Sequence, residues 1–305
     1  MQDNKTSPNW SIQSTYVKAR DYLAAINELP QASGDVERIQ QRLPLLKSCL
    51  DPTDSCFADQ ILPGRFQSLM FDPFAQDLNW LSSHVNDLEN MQVELLVEQH
   101  LLECQSLLSG PPGLLCIMPG GHPNFPEIHS FLRKTGIVGD AIPTTIRLFI
   151  SPIEGWERWL KSVLAHEYNH YVRFQKYTKP ENLLDHLILE GLAEAFSRTI
   201  SQEVTTPYTQ ENFISPDERQ QVWDLIHPDL NVTEKKVQDR HLSGKDKNYS
   251  FLSAEQRFTI EYTIGHLIVQ SCIEERYKKR NIEVDWVELT QLASETILND
   301  SKFST

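Results

Sequence analysis

The five residues His166-Glu167-Tyr168-Asn169-His170 combine side chains and spacing that could do chemistry. They lie within Leu160-Lys161-Ser162-Val163-Leu164-Ala165 and the residues after it, a stretch that reads as a helix. On a helix, residues four apart stand one above the other on one face. Two imidazoles so placed can bind one zinc ion, and a glutamate beside the first can reach a water on that ion. Two surface histidines on an ordinary helix would give the same pattern, so the following residues carry the weight.

After a break at Lys179-Pro180, the apolar positions Leu184, Leu187, Ile188, Leu192, Ala195 and Phe196 recur at helical spacing. On this second helix, 183–200, sits Leu189-Glu190-Gly191-Leu192-Ala193-Glu194. A helix, a short turn and an antiparallel helix would bring Glu190, twenty positions after His170, back to the two histidines. Zinc hydrolases commonly use two histidines and a glutamate, which leaves one position for water. Glu194, one turn on, could accept the N–H of a ligating histidine. Two acids on an otherwise apolar face need partners, because unpaired buried charge is costly.

These residues resemble the thermolysin-type, or gluzincin, site: His166-Glu167-x-x-His170, then Glu190-Gly191-Leu192-Ala193-Glu194. The chain is most similar to a bacterial family of predicted zinc-dependent proteases. Shared with it are a strand ending in proline (Leu148-Phe149-Ile150-Ser151-Pro152), both helices, and a later Tyr-x-x-Gly segment, Tyr262-Thr263-Ile264-Gly265-His266. The resemblance covers residues 110 to 300 and is specific in the two helices. It implies a zinc metallopeptidase that acts on a peptide or protein substrate. His166, His170 and Glu190 would hold Zn²⁺, Glu167 would be the general base, and Glu194 would support a ligand from behind. Tyr262 or His266 would donate to the oxyanion on the substrate carbonyl. Nothing here matches thermolysin's large N-terminal β-sheet domain or its calcium sites.

The elements that must position these residues follow from pattern and punctuation. Residues 14–29 read as a helix ended by Pro30, and 34–50 as a second, bent at Pro44. Residues 51–75 read as a loop anchored by Phe57, Phe66, Phe71 and Phe74. Residues 78–108 read as two helices around Asn90, and Ser109-Gly110-Pro111-Pro112-Gly113 is the clearest break. We place a helical N-terminal region at 1–109 and a metallopeptidase domain at 110–305, unless both share one continuous core. Strands are expected at 114–118, near 135–139 and at 144–150, ahead of the metal helix at 156–175. The expected class is α+β, predominantly helical, with a small antiparallel sheet packed beside the active-site helix in the zincin manner. In the resembling peptidases the sheet edge faces the cleft, which makes Thr144–Ile150 a candidate for pairing with an extended peptide. A buried structural strand is the alternative.

The remainder is polar, then helical again. Ser215-Pro216-Asp217-Glu218 opens a helix that ends near His227-Pro228, and 233–241 forms a shorter one. This insert forms either a cleft wall or lid, or a plain surface insertion. Residues 259–279 form a helix that carries Tyr262 and His266, and Asp285 caps a last one.

Composition limits the alternatives. The net charge is −14 with no basic stripe, which argues against nucleic acid. Residues 1–8 carry no apolar run, so no secretory leader is expected, and no window approaches the length of a membrane span. Five scattered cysteines without a C-x-x-C read as reduced thiols, so the expected location is cytoplasmic. His84, His100, His122, His129, His227 and His241 lack spacing partners, whereas His186, one turn before Glu190, is an alternative ligand. No nucleophile elbow or phosphate loop competes. Two other functions stay open: a regulatory or binding protein that keeps the zinc fold, and a zinc hydrolase of non-peptide amides. Oligomeric state is not legible.

Overall fold

The computed structural model describes residues 10–49, 56, 78–120, 134–202, 214–242 and 246–303. The expected loop at 51–75 lies outside them, apart from Cys56. The chain forms two compact units. One comprises 1–102 and 111–164, the other 103–110 and 165–305.

Among its described residues the first unit carries four helices and a sheet. Helices α1 (Tyr16–Asn27), α2 (Asp35–Cys49), α3 (Asn79–Asn90) and α4 (Val93–Leu107) match the expected pattern, and α2 accommodates Pro44. The last turns of α4 belong to the second unit. The strands are β1 (Ser11–Ser14), β2 (Leu114–Pro119), β3 (Ile137–Ile142) and β4 (Thr145–Ile150), in the order β1-β2-β4-β3.

This sheet is mixed, which corrects the antiparallel expectation. β1 and β4 both run parallel to β2, and only the β3–β4 hairpin is antiparallel. Strand direction depends on the path between strands, which periodicity does not carry. β4 also cannot accept a peptide at its edge: both its sides are already paired, and all six of its residues are buried. That is the signature of a central strand covered on both faces. Across the hairpin, Arg147 faces Asp140 in register, and its Nε and Nη2 donate to the two carboxylate oxygens at 2.6 Å each. This two-pronged pair holds a buried guanidinium inside the sheet. β1, four residues long, had no signal in the sequence.

Cys56 and Cys116 form a disulfide, against the expectation of reduced thiols. They are 60 residues apart, so no local spacing could reveal them. Cys104 and Cys272 are buried and outside that disulfide.

The second unit is helical. Helix α5 (Glu157–Phe174) starts in the first unit, and its second half, from Ala165, belongs here. Then follow α6 (Leu183–Ser201), α7 (Pro216–Ile226), α8 (Lys235–Leu242), α9 (Ala254–Phe258), α10 (Ile260–Arg276), α11 (Trp286–Gln291) and α12 (Ser294–Asp300). Asn182 caps α6 by accepting from the Asp185 amide, and Ser215 and Glu218 form a capping box on α7. Asp285 caps α11, as expected, by accepting from the Glu288 amide at 2.9 Å. α6 is buried nearly all round, as a helix at the centre of a bundle must be.

α5 is fixed from two sides. Tyr168 donates its hydroxyl to the Leu108 carbonyl at 2.9 Å. The buried Arg173 donates to the carbonyls of Thr290 (2.8 Å) and Leu292 (3.2 Å) and to the Ser294 hydroxyl. The expected insert packs on the start of α6: Leu184 N–H donates to the Leu230 carbonyl, and Gln238 on α8 donates to the Glu181 carbonyl. Among the described residues no helix is long and apolar enough to cross a membrane.

Candidate metal centre

The site is built on three helices of the second unit. α5 supplies His166, Glu167 and His170, α6 supplies Glu190 and Glu194, and α10 supplies Glu261, Tyr262 and His266. His166 Nε2 and His170 Nε2 lie 3.0 Å apart, with the rings edge to face. Glu190 Oε2 lies 3.2 Å from the first and 3.3 Å from the second. That oxygen is buried, and among the described residues its near polar neighbours are these two rings. These three atoms therefore converge on a common point, each able to serve as a ligand atom. Tetrahedral ligand atoms ~2.0–2.1 Å from zinc sit roughly 3.3 Å from one another. These donor spacings fit such an ion.

The residue behind His166 fits as well. His166 Nδ1 donates to Glu194 Oε1 at 3.1 Å, and Glu194 is wholly buried. A carboxylate can only accept, so Nδ1 keeps its proton and Nε2 is the nitrogen that would give its lone pair to a cation. Among the described residues His170 Nδ1 has no hydrogen-bond partner.

The electrostatics favour a positive charge at this point. Burial opposes the His166 imidazolium, but the carboxylates of Glu190, Glu194 and Glu167 outweigh it and push the group up to about 10. His170 is held below the usual imidazole range, first by burial and also by charged His166. Glu190 is held far below the usual carboxylate range: burial works against this, and the charge of His170 with the contacts to both rings overcomes it. The pair thus favours a charged His166 beside a neutral His170.

The other expected residues are placed as follows. Glu167 is buried on α5, close enough to act electrostatically on His166. Tyr262 brings its ring to 6.1 Å from that of His166, centroid to centroid. His266 lies instead in the field of Arg198 and Glu194. Burial first, then the Arg198 charge, push it down to about 4. His186 is outside the group of possible ligands, which consists of His166, His170 and Glu190.

Sequence reasoning missed Glu261. Burial, then the charge of Glu190, raise its carboxyl well above the usual range, with His166 acting the other way. An acid among Ile260, Ile264 and Ile268 is the same signal that singled out Glu190 and Glu194. It was also missed that the two motif glycines meet. A Cβ on Gly191 would lie 2.2 Å from the carbonyl carbon of Gly265, and one on Gly265 would lie 1.9 Å from the Leu187 oxygen.

Two histidines and a glutamate with this support define a site able to hold a divalent metal. Residues 97–299 match the family described as predicted Zn-dependent protease (DUF2268), and the chain belongs to that family. The uncharacterized protein YjfC of Bacillus subtilis (strain 168) is 27% identical over 164 residues, which is 52% of this chain and 52% of that protein. The chain thus matches about half the length of this relative. No solved structure matches.

Proposed function

We propose that this protein is a zinc metallopeptidase of the gluzincin type, with its catalytic residues in the domain at 110–305. The carrying observation is the convergence of His166 Nε2, His170 Nε2 and Glu190 Oε2 at 3.0–3.3 Å, with Glu194 behind His166. Zinc held there would lower the pKa of a water and polarise the scissile carbonyl. Glu167 takes the proton from the attacking water and passes it to the leaving amine. Tyr262, beside His166, donates its hydroxyl to the oxyanion, with His266 as the other candidate. Glu194 keeps the His166 lone pair directed at the ion.

A general base next to the ligands supports hydrolysis over mere binding, since a scaffold has no use for it. The substrate is a peptide or protein. Neither nucleic acid nor a membrane is a partner.

Metal analysis and peptide-library cleavage by wild type and Glu167→Gln test this. Both proteins should carry one zinc, and the variant should lose activity on the order of thousands-fold, because it lacks the base and keeps every ligand. Full activity in Glu167→Gln ends the mechanism. A zinc-loaded wild type that cleaves no peptide but hydrolyses small amides moves the substrate class.

A further inference from the structure

The sequence motifs leave two glycines without a role, Gly191 directly after Glu190 and Gly265 three residues after Tyr262. In the structure they are one contact. α6 and α10 cross there backbone to backbone: the Gly265 carbonyl group and Cα occupy the space of a Gly191 side chain, and the Leu187 carbonyl and Gly191 amide occupy that of Gly265. Ordinary helix pairs stay ~8–10 Å apart because side chains separate them. Only two glycines permit the closer approach.

We propose that Gly191 and Gly265 are positioning residues, whose crossing sets the distance of Tyr262 from the His166 end of the metal centre. Three residues of α10, about 4.5 Å along its axis, separate Gly265 from Tyr262, and Glu190 is next to Gly191 in the chain. The helix that holds a ligand is therefore locked to the helix that holds the donor, within one turn of both. A methyl on Gly265 at 1.9 Å from the Leu187 oxygen falls about 1 Å inside the closest tolerated approach of 3.0 Å, and the obstacle is backbone that no rotamer can clear. α10 must move away by about that amount. A displacement of ~1 Å at a reacting group can cost on the order of a hundredfold in rate. His166, His170 and Glu190 are all on α5 and α6, so the ion is kept while Tyr262 recedes.

This inference rests on the peptidase reading for its kinetic consequence but not for its structural one, and the test separates the two. Zinc-loaded wild type, Gly265→Ala, Gly191→Ala, Tyr262→Phe and the double variant Gly265→Ala/Tyr262→Phe are compared. In wild type, NMR with labelled His and Tyr should show a cross-peak between the rings of His166 and Tyr262. The alanine variants should bind zinc, lose that cross-peak, and show kcat reduced by roughly a hundredfold with KM little changed. Adding Gly265→Ala to Tyr262→Phe should then cost less than about threefold more, because both act through one interaction. An undiminished cross-peak in either alanine variant overturns the proposal. So does an additive loss in the double variant, and so does failure of both alanine variants to fold, which would make the crossing purely architectural. If wild type cleaves no peptide, the peptidase reading falls and the cross-peak still decides the positioning.

Discussion

His166 and Glu194 are joined by a 3.1 Å hydrogen bond from ring Nδ1 to a carboxylate with no exposed surface. The two residues come from different helices, α5 and α6, so the bond also ties those helices together at the metal end. It fixes which nitrogen of His166 would face an ion. Glu194→Gln can no longer draw the Nδ1 proton as a carboxylate does, and Glu194→Ala leaves that N–H buried and unpaired. Zinc affinity in Glu194→Ala should fall by roughly ten- to a hundredfold, without being abolished. Competition with a fluorescent chelator measures it. Wild-type affinity would reduce Glu194 to an ordinary core acid.

Metal binding should depend on pH in a defined direction. The folded-state value for His166, about 10, is raised above the usual 6.5, so its proton is retained well past neutrality in the metal-free protein. Zinc must displace that proton. Apparent affinity should rise by about tenfold per pH unit between pH 6 and 8, with one proton released per ion, since metal ligands must be deprotonated. By the same sign, the metal-free fold gains stability from charged His166 fully below about 6.5 and loses it as pH rises through about 10. Zinc-loaded protein lacks that loss. Calorimetry in buffers of different ionisation enthalpy checks the first point, and pH-independent affinity contradicts it.

Glu190 and His186 lie one turn apart on α6, and only Glu190 brings an atom into the ligand group. Glu190→Ala should lose both zinc and activity, because two histidines remain. His186→Ala should keep its zinc. The chelator 1,10-phenanthroline should inactivate the wild type and added zinc restore it. The reverse result, with zinc kept in Glu190→Ala and lost in His186→Ala, would reassign the third ligand.

The Cys56–Cys116 disulfide bears on where the protein works. Disulfides persist in oxidising compartments and are rare in a reducing cytosol. Alkylation and mass spectrometry of protein taken directly from its source should find these two cysteines bonded and Cys104 and Cys272 as thiols. Reduction should lower Tm, because the crosslink restricts the unfolded chain. Free thiols at Cys56 and Cys116 in native protein would favour the cytoplasmic expectation instead.

The sequence by itself determined the local facts. Spacing of four placed His166 and His170 on one helical face, and the apolar recurrence with two isolated acids marked α6 as a partner for them. Caps at Asn182, Ser215 and Asp285 and the breaks at proline and glycine set most helix ends. These depend on neighbours within a turn or two of chain, so composition in a short window carries them. Tertiary structure decided the rest. The parallel pairing of β4 with β2, the Cys56–Cys116 bond, the influence of Glu190 on Glu261, and the Gly191–Gly265 crossing all join segments that are distant in the chain. Their partners are chosen by packing, in which each contact depends on where every other element has settled. A one-dimensional period encodes which face of a helix is buried, and it does not encode which helix will cover it.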